Sequence, residues 1–284
     1  MSARTRIVIV TYNAGAFVDA AVDSALAQTE PCEVVVVDNA STDGSMERLR
    51  ARYSNVTIVQ RPENSGFAHA VNAGVRLDTG NRPEFVALLN PDAYARPEWI
   101  ETMTAWMARR SVDVASSVVL AGASTFFAGG RWRPFLGLAQ TLFTFAGERA
   151  LWVSGCAMLV RAELFERAGG FDEGYFLYSE DVDFCMRAAA AGARVGVCDR
   201  PLVDHPDPGK STNVLGASRK RRIAMTSRGR LLRRFSRGFA MPTAVLFQVL
   251  VSPALNGASP REYPALIHAF LEGFRDAGPV RAGL

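Results

Sequence analysis

Residues 85–93, FVALLNPDA, place a carboxylate directly after a buried strand. Phe85–Leu89 is a continuous apolar run, which is typical of a strand covered on both faces. Pro91 has no backbone N–H to give to a sheet, so the strand should end there and leave Asp92 at its carboxyl end. Ligands bind at that edge of a parallel sheet, and a carboxylate there suits a divalent cation that clamps a diphosphate. The alternative is an Asn-Pro-Asp turn without chemistry, because these residues are common in turns.

Three further strand-like segments precede this one and alternate with helical patterns. They are Arg6–Val10, Glu33–Val37 and Val56–Gln60. The helical patterns repeat apolar residues every three or four positions, as in Val18, Val22 and Leu26. Strands that alternate with helices at this spacing predict an α/β fold, with a mostly parallel central sheet flanked by helices. Because crossover connections are right-handed, we expect Asp38 and Asp92 at the same edge of this sheet.

The middle of the chain is less regular. We expect a long aromatic loop over 122–147, a strand over 151–160, a helix from Glu180 and a last core strand over 194–197. The four cysteines show no C-x-x-C pair and no zinc spacing, which favours a reduced, cytosolic protein with buried thiols. The first residues lead directly into a strand pattern rather than into a secretory signal.

The C-terminal quarter has a different composition. Between residues 210 and 237 there are ten Lys or Arg residues and no acidic residue, although the net charge of the chain is only +4. Such a block favours a polyanionic partner, either lipid headgroups or nucleic acid. Residues 239–255 are apolar but contain two prolines, and they fall short of the roughly 20 apolar residues that span a bilayer. We therefore expect residues 210–284 to form a basic and apolar helical extension on a membrane or a partner.

Acidic side chains and one histidine are candidates for chemistry. Asp38 ends a strand, where it can accept hydrogen bonds from a base or ribose, or can serve as a cap or turn residue. Glu180 and Asp181 begin a helix, where acids also suit the helix dipole. Five acids lie between residues 172 and 183, however, and crowded carboxylates raise one another's pKa, which suits a general base. His205 can be a metal or diphosphate ligand, or a structural residue.

A further candidate region surrounds the start of a helix. Asn64, Gly66 and Asn72 lie there, and backbone N–H groups at a helix start can cradle a phosphate or a nucleoside. The alternative is a loop followed by a capped helix.

Five motifs in order resemble the inverting glycosyltransferases of family 2. They are IVIVTYN (7–13), VVVDNASTDGS (35–45), ENSGFAHAVNAG (63–74), LLNPDA (88–93) and GGFDEGYFLYSEDVDFCMR (169–187). The likeness covers residues 4–207, and the subgroup that it resembles most is the rhamnosyltransferases of bacterial cell-wall and surface-polysaccharide assembly. The resemblance implies a GT-A fold, a nucleotide-diphosphate sugar donor, and Mg²⁺ or Mn²⁺.

The resemblance also implies roles for individual residues. The residues implied to bind the nucleotide are Thr11, Asn13, Asp38, Asn64 and Gly66. Asp92 stands in the metal-binding acidic motif, and His205 fits a position used for the metal or the diphosphate. Asp181 matches the catalytic base, with Glu180 beside it. The motif departs from the usual Asp-x-Asp at Asn90, which puts the strength of metal binding in question.

The resemblance implies that residues 1–209 are a GT-A catalytic domain. The composition of residues 210–284 predicts a basic and apolar extension that associates with the inner face of the membrane. The expected reaction moves a sugar, L-rhamnose from dTDP-rhamnose, to a polysaccharide or lipid-linked glycan in cell-envelope assembly. No nucleic acid is expected, and the apolar tail could form a homodimer contact.

Two alternatives stay open at this point. A nucleotidyltransferase would carry a basic, Gly-rich loop after its first strand, whereas residues 11–17, TYNAGAF, contain no Lys or Arg. A non-enzymatic polyanion-binding protein would use the basic block but would not explain acids at one sheet edge.

Overall fold

Strands and helices alternate through the first half of the protein. The structure is a computed structural model that describes residues 4–208 and 213–278. Lys210 and the predicted domain boundary between residues 209 and 210 lie outside the described residues. The strands are β1 Thr5–Thr11, β2 Cys32–Asp38, β3 Thr57–Gln60, β4 Phe85–Leu89, β5 Tyr94–Ala95, β6 Val114–Ala121, β7 Ser124–Phe127, β8 Gly130–Arg133, β9 Leu138–Thr141, β10 Ala157–Arg161 and β11 Val195–Asp204. The α-helices are α1 Phe17–Leu26, α2 Ser45–Arg52, α3 Phe67–Val75, α4 Trp99–Arg110, α5 Ala162–Arg167, α6 Glu180–Ala190, α7 Ala217–Phe235, α8 Ala240–Leu250, α9 Ser252–Leu255 and α10 Tyr263–Asp276.

The first four strands form the parallel half of the central sheet, in the order β3-β2-β1-β4. Every residue of β1 and β4 is buried, which accounts for their long apolar runs. In the register, Thr11 lies opposite Asp38, and Ile9 lies opposite Leu89. The segments that follow β1, β2 and β4 therefore share one edge of the sheet, where the sequence predicts Asp38 and Asp92.

The other half of the sheet is mixed in direction. β10 lies antiparallel between β4 and β6, and β11 lies parallel to β6. The strand predicted over 151–160 is shorter, because β10 begins only at Ala157 and the preceding Gly155 donates its N–H to a side chain instead. The strand predicted over 194–197 is longer, because β11 pairs with β6 along most of its 10 residues. The α/β class is confirmed, but apolar periodicity carries no information on strand direction.

The segment 122–147 is not the loop that the sequence predicts. The chain reverses at Gly122, which has a φ of +60°, and β7 then pairs antiparallel with β6. β8 and β9 form a separate two-stranded hairpin. Each of these strands has only four residues and mixes polar with apolar side chains, so its sequence signal is weak.

The C-terminal helices, α7–α10, form a second, smaller apolar cluster. Its buried members are Met225, Leu232, Ala244, Leu266, Ala269 and Phe270. α7 and α10 cross at two glycines, since a Cβ added at Gly229 would overlap the Phe270 carbonyl and one at Gly273 would overlap the Thr226 carbonyl. Leu231 of α7 packs into the main core, so this helix joins the two clusters. Among the described residues, no helix combines the length and apolar composition needed to cross a bilayer.

Candidate active site

Two adjoining cavities lie at the edge of the sheet where Asp38 and Asp92 are predicted. The large cavity has a volume of about 540 Å³, and its lining includes Glu180, Asp181 and His205. The small cavity has a volume of about 100 Å³, and its lining includes Thr11, Asn64 and Gly66. The two cavities share three lining residues, which are Phe67, Asn90 and Leu177. The structure therefore brings most of the predicted site residues into one connected space.

The wall of the small cavity depends on a glycine. Gly66 has a φ of +96°, and a Cβ there would overlap the carbonyl of Phe176. The next residue, Phe67, donates its N–H to that same carbonyl at 2.7 Å. Asn64 accepts a hydrogen bond from the Gly66 N–H at 3.1 Å, so its side chain shapes the loop from within. Thr11 is buried, and its hydroxyl has no hydrogen-bond partner among the described residues.

Two of the predicted nucleotide-binding residues, Asp38 and Asn13, do not line either cavity. The Asp38 carboxylate is fully buried and accepts hydrogen bonds from the Ser41 N–H and hydroxyl, at 3.1 and 2.5 Å. Burial raises the pKa of Asp38, although the bonds from Ser41 act in the opposite direction. Asn13 accepts a hydrogen bond from the Thr42 N–H at 2.7 Å. Asp38 therefore shapes the loop after β2, and Asn13 ties the loop after β1 to it.

Asn39 is a residue that sequence reasoning missed. Its side chain lines the small cavity, is 3% exposed, and donates to the Gly66 carbonyl at 3.2 Å. Its Oδ1 atom has no partner among the described residues. The sequence offered one clue, since Asn39 directly follows Asp38 in the same turn-rich motif.

Asp92 and His205 meet although they are 113 residues apart in the chain. Their Oδ1 and Nε2 atoms lie 2.9 Å apart, and both side chains are almost fully buried. His205 follows β11, and its Nδ1 lies 3.5 Å from the Sγ of Cys156. Burial favours the neutral imidazole, but the hydrogen bonds to Asp92 and Cys156 outweigh it and raise the pKa of His205 to about 10.

These donors fit a divalent cation only in part. Within residues 4–208 and 213–278, no group of three or more His, Cys, Asp or Glu side chains could hold a metal by itself. Asp92 offers a carboxylate and Asn90 an amide that lines both cavities. His205 would have to lose its proton before its Nε2 could bind a metal, because its pKa is raised to about 10. Mg²⁺ commonly takes one or two carboxylates from a protein and completes its shell with substrate phosphates and water. The donor set therefore suits a cation that binds together with a diphosphate.

Two backbone N–H groups fix the carboxyl group of Asp181 at the wall of the large cavity. Its Oδ2 accepts the Gly155 N–H at 2.9 Å and its Oδ1 accepts the Val182 N–H at 2.8 Å. Burial raises the pKa of Asp181, and these two bonds oppose the rise. Glu180 is 4% exposed, and its Oε2 has no partner among the described residues. Burial, and secondarily the charge of Asp181, raise the pKa of Glu180 well above the usual range, so Glu180 takes up a proton first.

The backbone in front of this pair is strained. Tyr178 and Ser179 both line the large cavity, and their φ angles are +69° and +71°. Ser179 precedes α6 but makes no capping hydrogen bond with its side chain. Two successive non-glycine residues in this conformation are costly and are typical of functional sites.

The remaining acids of the 172–183 cluster have structural partners. Asp183 is fully buried, 2.6 Å from the Nε of Arg187 and 2.7 Å from the Nη1 of Arg234. Asp172 also pairs with Arg234, and Glu173 pairs with His69. The five crowded acids therefore fall into two groups, since only Glu180 and Asp181 line the large cavity.

Comparison with known proteins identifies the family to which the chain belongs. Residues 6–169, more than half of the chain, match the model of the family described as glycosyl transferase family 2. The chain belongs to glycosyltransferase family 2. The sequence resemblance is thereby confirmed, and the two alternatives, a nucleotidyltransferase and a non-enzymatic polyanion-binding protein, are set aside.

Curated relatives of this glycosyltransferase include rhamnosyltransferases. It is 31% identical over 224 residues to an N-acetylglucosaminyl-diphospho-decaprenol L-rhamnosyltransferase of Mycobacterium tuberculosis, covering 66% of this chain and 70% of that one. It is 25% identical over 219 residues to the dTDP-rhamnosyl transferase RfbF of Shigella flexneri, covering 76% and 73%.

Solved structures identify the fold of this glycosyltransferase as GT-A. S. aureus TarS 1-349 in complex with UDP superposes with a TM-score of 0.60 at 18% identity, covering 95% of this chain and 80% of that one. The mannosyltransferase PcManGT of Pyrobaculum calidifontis, in complex with GDP-Man and Mn²⁺, also has a TM-score of 0.60, at 20% identity, covering 98% and 77%.

Sequence reasoning also missed one wall of this glycosyltransferase's large cavity. Lys220, Arg221 and Arg228 of α7 line it, as do Pro253 and Asn256. The sequence predicts only a surface role for the basic block. It does not show which of these side chains line a cavity, because contacts between charges far apart in the chain leave no local pattern. In the structure, part of the block faces the same space as Asp181.

Proposed function

We propose that this glycosyltransferase transfers L-rhamnose from dTDP-β-L-rhamnose to a hydroxyl group of a lipid-linked glycan. The observation that carries the proposal is the carboxylate of Asp181, fixed by two backbone N–H groups in a cavity that adjoins the small cavity beside β1. The choice of rhamnose rests on the names of the curated relatives. The role in cell-envelope assembly belongs to the same proposal.

In the proposed reaction, Asp181 accepts the proton of the acceptor hydroxyl as its oxygen attacks the anomeric carbon. The new bond joins that carbon to the acceptor oxygen, while the bond to the donor phosphate breaks and the electron pair leaves with the nucleoside diphosphate. The transition state resembles an oxocarbenium ion, as in other glycosyl transfers. One displacement inverts the configuration, so a β-L donor gives an α-L-rhamnoside. Glu180, whose pKa is raised well above the usual range, limits the negative charge beside Asp181.

We assign donor binding to the small cavity and to the residues next to it. Thr11, Asn64 and Gly66 border the nucleotide, while Asp38 and Asn13 hold the loops that form its binding surface. Asp92, together with His205 once it is deprotonated, would hold a divalent cation, which would neutralise charge on the leaving diphosphate.

Metal-dependent donor binding is tested at Asp92. We expect Asp92→Ala to weaken dTDP binding in the presence of Mn²⁺ by about tenfold or more, as for the loss of other metal-site groups. Binding without metal should change little. Calorimetry with and without Mn²⁺ measures both values, and equal metal-dependent affinity of the two proteins would remove Asp92 from the proposal.

A donor screen tests the substrate. Purified protein with Mn²⁺ is offered dTDP-rhamnose, UDP-GlcNAc and GDP-mannose, and release of the nucleoside diphosphate is followed. We expect turnover of dTDP-rhamnose to exceed that of the other two donors. A preference for another donor would overturn rhamnose alone, whereas NMR of the product showing retained configuration would overturn the mechanism.

We further propose peripheral binding at the cytoplasmic face of the membrane. α8, α9 and the residue before them carry apolar side chains outward, and those exposed are Phe239, Leu246, Leu250, Val251 and Leu255. The polar Gln248 and Ser252 of the same helices are buried. Residues 239–260 contain no charged residue, and the exposed Arg233 and Arg237 lie just before them. An apolar face beside cations complements an anionic lipid surface.

Vesicle flotation tests the membrane proposal. The protein should float with phosphatidylglycerol vesicles and less with phosphatidylcholine vesicles, and Leu246→Glu/Leu250→Glu should abolish flotation. Phe143→Glu, at a residue that is also 63% exposed, is the matched control and should float like the parent. Equal flotation with the two kinds of vesicle would contradict the role proposed for the arginines. Absence of flotation, with a dimer in light scattering, would assign the apolar face to a second copy instead.

A further inference from the structure

Part of the large cavity is lined by the C-terminal helices. Lys220 and Arg228 of α7 line this part, together with apolar side chains. The apolar residues there are Met225, Leu231, Pro253 and Leu266. None of these residues lines the small cavity, where we place the donor nucleotide.

Arg228 has no acidic partner among the described residues. Its Nη1 donates to the Ser252 hydroxyl at 2.7 Å, and its Nη2 donates to the Asn256 Oδ1 at 3.2 Å. Both acceptors are neutral. By contrast, Arg221 and Arg234 pair with carboxylates, Arg221 with Glu262 at 2.6 Å.

A partly buried guanidinium without an ion-pair partner costs free energy, and a bound anion would offset this cost. Arg228 is half-buried, and burial lowers its pKa. A guanidinium has five N–H donors, and Arg228 uses Nη1 for Ser252 and for a 4.0 Å contact with the Met225 sulfur, and Nη2 for Asn256. Two neutral acceptors therefore orient the group in advance and leave donors free toward the cavity, an arrangement suited to bidentate binding of phosphate.

We propose that Arg228, assisted by Lys220, binds a phosphate of the acceptor substrate. The acceptor is then an amphiphile, whose phosphate contacts Arg228 and whose apolar chain lies along Met225, Leu231 and Leu266. This inference rests on the proposed function, because Asp181 in the same cavity must receive the acceptor hydroxyl. Arg228 and Lys220 would distinguish this class of acceptor from a phosphate-free glycan.

Binding of farnesyl diphosphate tests the inference directly. Calorimetry is done on the full chain with saturating dTDP and Mg²⁺, so that the donor site is occupied. The parent protein should bind farnesyl diphosphate, and Arg228→Gln should weaken binding by about tenfold or more, as for loss of a charge-assisted hydrogen bond. Arg222→Gln is the matched control, since Arg222 lies on the same helix, is exposed and does not line the large cavity. Farnesol and inorganic pyrophosphate separate the two parts of the ligand.

Each outcome decides a part of the inference. Unchanged affinity in Arg228→Gln would overturn it, and equal binding of inorganic pyrophosphate and farnesyl diphosphate would replace the lipid by a soluble phosphate. Arg228→Lys keeps the charge and should retain part of the affinity. If Arg228→Gln lowers the melting temperature, Lys220→Gln tests the same part of the cavity. This second variant loses few contacts, because Lys220 donates only to Asn213 among the described residues. Donor turnover is measured separately, so its failure would overturn the proposed reaction and leave the binding result intact.

Discussion

The two sides of the active site are built in different ways. On the nucleotide side, backbone groups and neutral or acidic side chains of neighbouring loops hold one another, as in the bonds from the Gly15 N–H to Asp43 and from the Thr42 N–H to Asn13. On the side of the C-terminal helices, one arginine joins distant elements, since Arg234 of α7 reaches Asp172 and Asp183. The nucleotide side is thus specified by short-range geometry, and the helical side by long-range charge pairs.

This difference separates two kinds of sensitivity. The nucleotide side should respond to changes in backbone conformation, because its shape comes from tight turns and a close loop contact at Gly66. The helical side should respond to loss of charge, because buried ion pairs become costly when one partner is removed.

The largest loss of stability is expected from Arg234→Ala. This substitution removes two ion pairs and leaves Asp183, which is fully buried, with Arg187 as its remaining cation. We expect the free energy of unfolding to fall by about 3 kcal/mol, as for other broken buried pairs. Urea denaturation measures it. Arg233→Ala, an exposed neighbour whose guanidinium lies over Phe274, should cost about 1 kcal/mol or less. Equal losses in the two variants would show that α7 is not held by this ion pair.

The largest loss of activity is expected from Asp181→Asn. An amide still accepts the Gly155 N–H through its oxygen, but it cannot take a proton from the acceptor. We expect turnover to fall by about a hundredfold or more, with the melting temperature nearly unchanged. Glu163→Gln removes an exposed carboxylate on α5 and serves as the control. Turnover equal to that of the parent would exclude Asp181 as the base.

A smaller effect is expected from Gly66→Ala on the nucleotide side. The added methyl group would overlap the Phe176 carbonyl in a backbone conformation that side chains rarely adopt. We expect a loss of stability of about 1–3 kcal/mol and weaker dTDP binding, since the Asn64–Gly66 turn must move. Gly80→Ala also has a positive φ but meets no neighbouring atom, so it isolates the conformational cost. If both variants bind dTDP equally well, the contact with Phe176 does not shape the nucleotide site.

The same division explains what could be predicted from the sequence. The strands β1–β4 and the position of Asp92 follow from apolar runs that end in turn residues, which are local patterns. The α/β class was predicted on this basis and the family from the resemblance of five motifs, and both are confirmed. The contribution of α7 to the cavity was not predicted, because Arg234 and Asp183 lie 51 residues apart and a charge pair leaves no periodic pattern. The interpretation of the crowded acids was too broad for the same reason, since three of the five pair with basic side chains.

The smallest expected effect is a pH-dependent change in stability. It concerns Glu180, which lies between the two sides of the active site. Burial raises the pKa of Glu180 well above its value in the unfolded chain, so the folded protein binds this proton more tightly. The stabilisation from that proton is complete below the unfolded pKa and is lost as pH rises through the folded pKa. Glu180→Gln has no such proton to lose. The melting temperature of the variant relative to the parent should therefore be higher at pH 8 than at pH 5, and scanning calorimetry at both values measures this. A difference that does not depend on pH would mean that Glu180 is ionised in the folded protein as readily as in the unfolded chain.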